Sequence, residues 1–286
     1  MQHRPRLNEE EYNVIKAYRE GLVKYSPPKE VVNKPKILIY DLETAPLKSF
    51  VWGLWKQNVN IDFIESDWFC LSWAAKWLND DDVFSDVLTG EEAVSENDSR
   101  IIGSLWKYID EADVVIAHNA KKFDVKRMNT RFLLNGYPPP SFYEVIDTLS
   151  VVKNKFSMSS NRLDYINSLL GIERKTPTGA SLWVSCLKGD EEALEKMVEY
   201  NENDVIILEQ TYLKLRGWIT NHPNINVFDD LEVERCSNCG SESIVWDGYK
   251  TTSAGRYKAY RCSSCGHNGH SRYSDMSTEK KKTVVR

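Results

Sequence analysis

Residues 35–44, PKILIYDLET, constrain the fold more than any other segment of the chain. Side chains alternate across a strand, so Ile37, Ile39, Asp41 and Glu43 share one face while Leu38, Tyr40 and Leu42 share the other. With both faces apolar, the strand is predicted to be buried, and two carboxylates leave its end together. Adjacent carboxylates in such surroundings repel unless a proton or a cation intervenes, and hard oxygen ligands favour Mg²⁺ or Mn²⁺.

The segments that follow supply neighbours for this strand. SFVWGLW (49–55), DWFCLSWAAKWL (67–78) and DVFSDVLT (82–89) are β-branched or aromatic runs bounded by turn residues, and each predicts a strand of the same sheet. Residues 95–112 have helical periodicity, 113–119 (DVVIAHN) predict another strand, and 121–136 predict a helix closed by Gly136 ahead of three prolines. Residues 143–152, 161–172 and 190–219 are predicted to continue mainly as helix. Strands followed by alternating helices give a mixed α/β sheet flanked by helices. Trp52, Trp55, Trp68, Trp73 and Trp77 are expected to fill its core, with stacking on a nucleic-acid base as the alternative for some of them.

The chain has 286 residues, enough for a core domain of roughly 190 residues with smaller appendages. The predicted division is 1–34 as an N-terminal helix (8–24) and linker, 35–220 as the core domain, and 230–286 as a cysteine-containing ribbon with a basic tail. No apolar run approaches the roughly 20 residues of a membrane span, and the first residues lack the apolar centre of a signal peptide. A soluble, cytoplasmic protein with no membrane partner is therefore expected. The formal charge of −5 is uneven, because residues 235–286 carry 10 Lys and Arg against 4 Asp and Glu. A basic tail on an acidic body places phosphate affinity at one end and cation-holding acids in the other.

Two further acids draw attention by position. Asp124 follows the strand at 113–119 through Asn119-Ala-Lys-Lys-Phe123 and starts a helix, where an Asp is also expected from capping and the helix dipole alone. In Tyr200-Asn-Glu-Asn-Asp204 the phenol and the carboxylate are four residues apart and share one face of the long helix.

Taken in order, Asp-x-Glu on a strand, Asn-x3-Phe-Asp at a strand-to-helix junction and Tyr-x3-Asp on a late helix resemble the three motifs of the DEDD (DnaQ-like) 3′→5′ exonuclease superfamily. The tyrosine resembles its DEDDy subfamily; the His-x4-Asp of the sister subfamily is absent, since Glu199 occupies that place. The resemblance spans about 35–220, including Asp147-Thr148-Leu149 and Arg162-Leu163 through Gly171. It implies an RNase H-like fold and hydrolysis of phosphodiester bonds with two divalent ions, Mg²⁺ or Mn²⁺, roughly 4 Å apart. Asp41 and Asp204, with Glu43 close by, would hold the ion nearer the nucleophile, and Asp41 with Asp124 the second. Tyr200 would orient the attacking water. Asn119 is expected on the nucleic-acid side of the site, and His118 is expected to be packed or substrate-facing rather than catalytic.

Near the C-terminus, Cys236-Ser-Asn-Cys239-Gly and Cys262-Ser-Ser-Cys265-Gly are separated by 22 residues, the spacing of a four-thiolate Zn²⁺ site. Gly240 and Gly266 suit tight knuckles. His267 and His270 are not needed as ligands. Arg256, Tyr257 and Lys258 on the intervening hairpin have a composition suited to phosphate and base contact. The expected partner is nucleic acid, first a single-stranded DNA 3′ end, together with replication or repair proteins. An exoribonuclease of the same chemistry and an inactive nucleic-acid-binding adaptor are the competing readings.

Overall fold

A computed structural model describes residues 34–172 and 179–285. The predicted N-terminal helix at 8–24 and its linker lie outside the described residues.

The described residues open on β1 (Ile37–Thr44), a two-stranded excursion of β2 (Lys48–Ser49) and β3 (Ile64–Ser66), then β4 (Cys70–Trp77) and β5 (Val83–Val87). A short helix α1 (Gly90–Val94) follows, closed at its start by a reciprocal Thr89–Glu92 capping box. Next come α2 (Ser99–Glu111), β6 (Val114–Ala117), α3 (Asp124–Leu134), β7 (Glu144–Asp147) and α4 (Thr148–Lys155). The domain finishes with α5 (Leu163–Leu170), α6 (Ser181–Cys186) and the 25-residue α7 (Glu191–Leu215).

Five strands form one sheet in the order β5-β4-β1-β6-β7. β4 runs antiparallel to β1, whereas β6 is parallel to β1 and β7 to β6. β1 is therefore central, as its two apolar faces require. Leu38, Tyr40 and Leu42 enter one buried cluster with Ile101, Leu105 and Trp106 of α2 and Met128 and Phe132 of α3. Ile37 and Ile39 enter a second with Val152 of α4, Ile166 of α5 and Val205, Leu208 and Tyr212 of α7. Complete burial of each such side chain contributes about 1.5–3 kcal/mol before chain entropy is counted. The mixed α/β sheet flanked by helices is thus the architecture that the sequence predicts.

Two local expectations are corrected. Residues 49–55 are not a strand: only Lys48 and Ser49 pair, with Ser66 and Ile64, and the place beside β1 is taken by β4. Their apolar residues fall on both parities, so no register buries them, and Trp52, Leu54 and Trp55 are 91%, 88% and 84% exposed. Trp52 and Trp55 are accordingly not core residues, whereas Trp73 is fully buried and donates Nε1–H to the Ile101 carbonyl. Residues 143–152 do not continue as helix either. Glu144–Asp147 pair in register with Val114–Ala117, and the Asp147 carboxylate accepts from Ser150 N–H to start α4 only after the strand.

After α7 the chain passes through a turn-rich segment into a three-stranded ribbon, β8 (Ile244–Thr251), β9 (Arg256–Cys262) and β10 (Asn268–His270), ordered β10-β9-β8. A final short helix, α8, covers Thr278–Lys282. The ribbon is seated on the end of α7. Arg216 Nε donates to the Asn238 carbonyl at 2.9 Å, and Asn238 Nδ2 donates back to the carbonyls of Arg216 and Ile219 at 3.0 and 2.9 Å. A Cβ on Gly217 would stand 2.2 Å from the Cys265 carbonyl oxygen, so only glycine permits the two backbones to meet there.

Candidate functional site

The acid-bearing end of β1 is framed unequally. On one side β4 pairs along its length, with Ala74 opposite Asp41 and Ser72 opposite Glu43. On the other, pairing with β6 stops at Ile39 while β1 runs on to Thr44. The two carboxylates therefore project past a neighbour that has already turned away, at the carboxyl end of the central strand rather than at the sheet's edge.

α7 crosses this end and brings Asp204, which is buried, to the pair. Carboxylate oxygens of Asp41, Glu43 and Asp204 all lie within 4.8 Å of one another. Sequence reasoning overlooked Asn201, one turn before Asp204 and fully buried. Its Nδ2 donates to Asp41 Oδ2 at 2.8 Å, and its Oδ1 accepts from Ser72 Oγ at 3.1 Å. The only available signal was the i, i+3 spacing from Asp204, which puts both on one helix face.

Asp124 is the first residue of α3 and is also buried, but it does not share the 4.8 Å radius with all three other acids. Its Oδ2 is buried without a hydrogen-bond partner. Burial first, and then the charge of Asp41, with smaller contributions from Asp147 and Glu43, push its carboxyl well above the usual range. Tyr40 behaves alike: its hydroxyl is buried without a partner, and burial and the nearby Asp124 raise it well above an ordinary phenol. A buried carboxylate oxygen with no donor, beside three more acids, is a donor set suited to hard divalent cations.

The loop before Asp124 is fixed by Asp147. Its carboxylate accepts from the N–H groups of Asn119 at 3.1 Å and Lys121 at 3.4 Å, as well as from Ser150. Asn119 takes a left-handed conformation, φ 78°, and its carbonyl accepts from Lys122 and Phe123. His118 is held at both nitrogens, Nδ1 by the Thr148 hydroxyl at 3.0 Å and Nε2 by the Asn161 carbonyl at 3.1 Å. Tyr200 is half-buried on α7, one turn ahead of Asp204, with its ring edge-on to Trp183.

The four cysteines form the second cluster, with all Sγ atoms within 4.8 Å. None is in a disulfide. Cys236 and Cys265 sulfurs are 3.7 Å apart, and those of Cys239 and Cys262 are 3.6 Å apart. A tetrahedron with Zn–S bonds of about 2.3 Å has edges of about 3.8 Å, so the spacing fits a four-thiolate zinc site. Gly240 and Gly266, φ 70° and 75°, turn each knuckle and donate back to the Cys236 and Cys262 carbonyls. Hydrogen bonds from Cys239 and Cys265 hold the Cys236 thiol well below its ordinary value, and that thiolate in turn pushes Cys239 up to about 11. Deprotonating all four sulfurs thus calls for a cation among them. His267 instead bonds Asn238 and the Gly217 carbonyl, and His270 faces its own turn.

On β9, Arg256 and Lys258 share one face with Tyr249 and Trp246 of β8, while Tyr257 lies on the other face beside His270. Arg256 covers the Tyr249 ring and pairs with Asp275 at 3.5 Å.

Residues 77–216 match the family model RNase_H_2, described as RNase_H superfamily. The match takes in Asp124, Tyr200 and Asp204 and begins beyond Asp41 and Glu43. No curated protein matches the chain. The chain carries an RNase H-like domain, a fold of nucleic-acid-acting hydrolases, followed by a C-terminal cysteine cluster.

Proposed function

We propose that this chain is a divalent-metal-dependent 3′→5′ exonuclease of the DEDDy type, acting on single-stranded DNA. The observation that carries the reading is the meeting of Asp41 and Glu43 from β1 with Asp204 from α7, their oxygens within 4.8 Å, beside the buried Asp124. These four acids would hold two Mg²⁺ or Mn²⁺ ions. When bound, the ions lower the pKa of an attacking water and neutralise charge on the departing 3′-oxygen.

The protein's own groups have simpler tasks. The carboxylates serve as ligands, and Asn201 holds the Asp41 carboxylate at one oxygen and so sets its orientation. Tyr200 orients the water; a phenol with a reference pKa of about 10 is a poor base at neutral pH, so its role is positional. Asp147 keeps the Asn119–Phe123 loop in the shape that delivers Asp124. In this reading residues 35–220 form the nuclease domain and 230–286 the ribbon, where Cys236, Cys239, Cys262 and Cys265 hold one structural Zn²⁺. Asn119, Arg256, Tyr257 and Lys258 are assigned to the nucleic-acid strand.

The test is a time course on 5′-labelled single-stranded DNA with Mn²⁺, run beside a matched RNA. A ladder shortening from the 3′ end, abolished by Asp41→Ala in a protein that still melts cooperatively, supports the reading. Undiminished hydrolysis by Asp41→Ala, or strand binding with no released mononucleotide from the unaltered chain, refutes it. Faster digestion of RNA would transfer the activity to that substrate.

A further inference from the structure

Arg127 lies one turn after Asp124 on α3, so both project from the same helix face. Its guanidinium carbon lies over two rings, 4.4 Å from the Trp68 centroid and 4.5 Å from that of Phe123. Cation–π contact of this kind uses the guanidinium's charge and leaves its N–H donors for hydrogen bonding. One edge donor, Nη1–H, is given to the hydroxyl of Thr44, the residue after Glu43, at 2.9 Å. Among the described residues Nε and Nη2 have no acceptor.

The other buried or half-buried arginines each hold an acceptor within the protein. Arg131 forks onto both oxygens of Asp98, Arg235 reaches Asp229, and Arg216 donates to the Asn238 carbonyl. Unlike Arg131 and Arg235, Arg127 has no carboxylate in ion-pair contact among the described residues and is held by two aromatic rings and a neutral hydroxyl. Asp67 and Asp124 are close enough to favour its charge, yet burial outweighs them and lowers its pKa. A rigid, partly desolvated cation with two spare donors, tied both to the strand bearing Glu43 and to the helix bearing Asp124, is built to receive an anion from outside. A carboxylate-lined site repels a phosphodiester strand, so a fixed cation at its rim counters that repulsion for an incoming phosphate.

We propose that Arg127 is a phosphate-binding residue, which grips a backbone phosphate of the substrate strand at the rim of the carboxylate site with Trp68 and Phe123 as the rings that hold it in place. This rests on the nuclease reading for the nature of the anion, a phosphodiester. The grip is sequence-independent, as a backbone contact must be.

The experiment measures binding of a labelled single-stranded oligonucleotide to the full chain by fluorescence anisotropy over a range of salt, with Ca²⁺ in place of Mn²⁺. Arg127→Gln removes the charge and the guanidinium while keeping a polar side chain. Arg127→Lys restores the charge without the planar fork, and thermal melts confirm that both variants fold. Loss of one phosphate contact should reduce the slope of log affinity against log salt by about 0.7. Binding by Arg127→Gln should weaken about tenfold, the effect of losing one charge-assisted hydrogen bond, with Arg127→Lys in between. Equal salt slopes for the unaltered chain and Arg127→Gln, or no binding by the unaltered chain, would overturn the assignment. Cleavage is scored separately with Mn²⁺: a strand that is bound but never cut sinks the nuclease reading while the slopes still decide Arg127, and cutting with equal slopes sinks Arg127 alone.

Discussion

Asn201 Nδ2 donates to Asp41 Oδ2 at 2.8 Å and so joins two positions 160 residues apart in the chain. The bond fixes which way the Asp41 carboxylate faces, and Ser72 fixes Asn201 in turn. Side chains that orient metal ligands from behind typically matter 10- to 100-fold in affinity. Asn201→Ala should therefore weaken Mn²⁺ binding by about 10–100-fold in calorimetric titration. It should also cost about 1–3 kcal/mol in denaturant unfolding, because the buried Ser72 hydroxyl loses its acceptor. Unchanged Mn²⁺ affinity would remove Asn201 from the site.

Acid sensitivity is expected from His222, which burial holds at about 4 against an ordinary value of 6.5, with the charges of Arg216 and His267 acting in the same direction against its bond to the Pro223 carbonyl. Tyr212 contacts its Nε2 at 2.8 Å. Because the folded pKa is depressed, the unfolded chain takes up the proton first. The contribution of neutral His222 is complete above about pH 6.5 and is lost as the pH falls toward 4, by up to about 3 kcal/mol. His222→Gln should flatten the fall in stability over this window relative to the unaltered chain; parallel pH curves would show that the imidazole is not its source.

Zinc removal should act locally. With a core of little more than Cys236, Tyr260 and Cys262, the ribbon depends on its metal for folding free energy. A strong chelator is expected to abolish hydrogen-exchange protection in peptides covering β8 and β9 while those covering β6 and α3 stay protected. Retained protection in β9 after verified loss of zinc would mean that docking on α7 suffices.

Gly217→Ala probes that docking. The added methyl would meet the Cys265 backbone at 2.2 Å, and there is no flexible side chain to swing aside. Overpacking of this kind costs about 1–3 kcal/mol, measurable by denaturant unfolding, and should loosen exchange protection around Cys265. A change below about 0.5 kcal/mol, the range of neutral surface substitutions, would show that the contact relaxes freely.

Legibility followed chemistry that repeats along the chain. β1 was readable because strict alternation assigns Leu38, Tyr40 and Leu42 to one cluster and Ile37 and Ile39 to the other. The cysteines were readable because two identical knuckles stand at zinc spacing. Residues 49–55 misled because β propensity describes a fit to a half-buried pleat, and among the described residues only Ser49 of this segment finds a partner strand. Asn201 was hidden among charged neighbours on α7 that mimic a solvated helix face. Arg216 and Asn238 were invisible for another reason: they meet largely through backbone carbonyls, which leave no mark on residue type.

The run of α7 from Asp204 to its end at Leu215 sets a spacer of about 17 Å, at 1.5 Å per residue, between the carboxylates and the seat of the cysteine knuckles. The helix acts as a ruler. An oligomer shorter than that gap can touch one end or the other but not both, so the dependence of affinity on strand length should show a step where the second end is first reached.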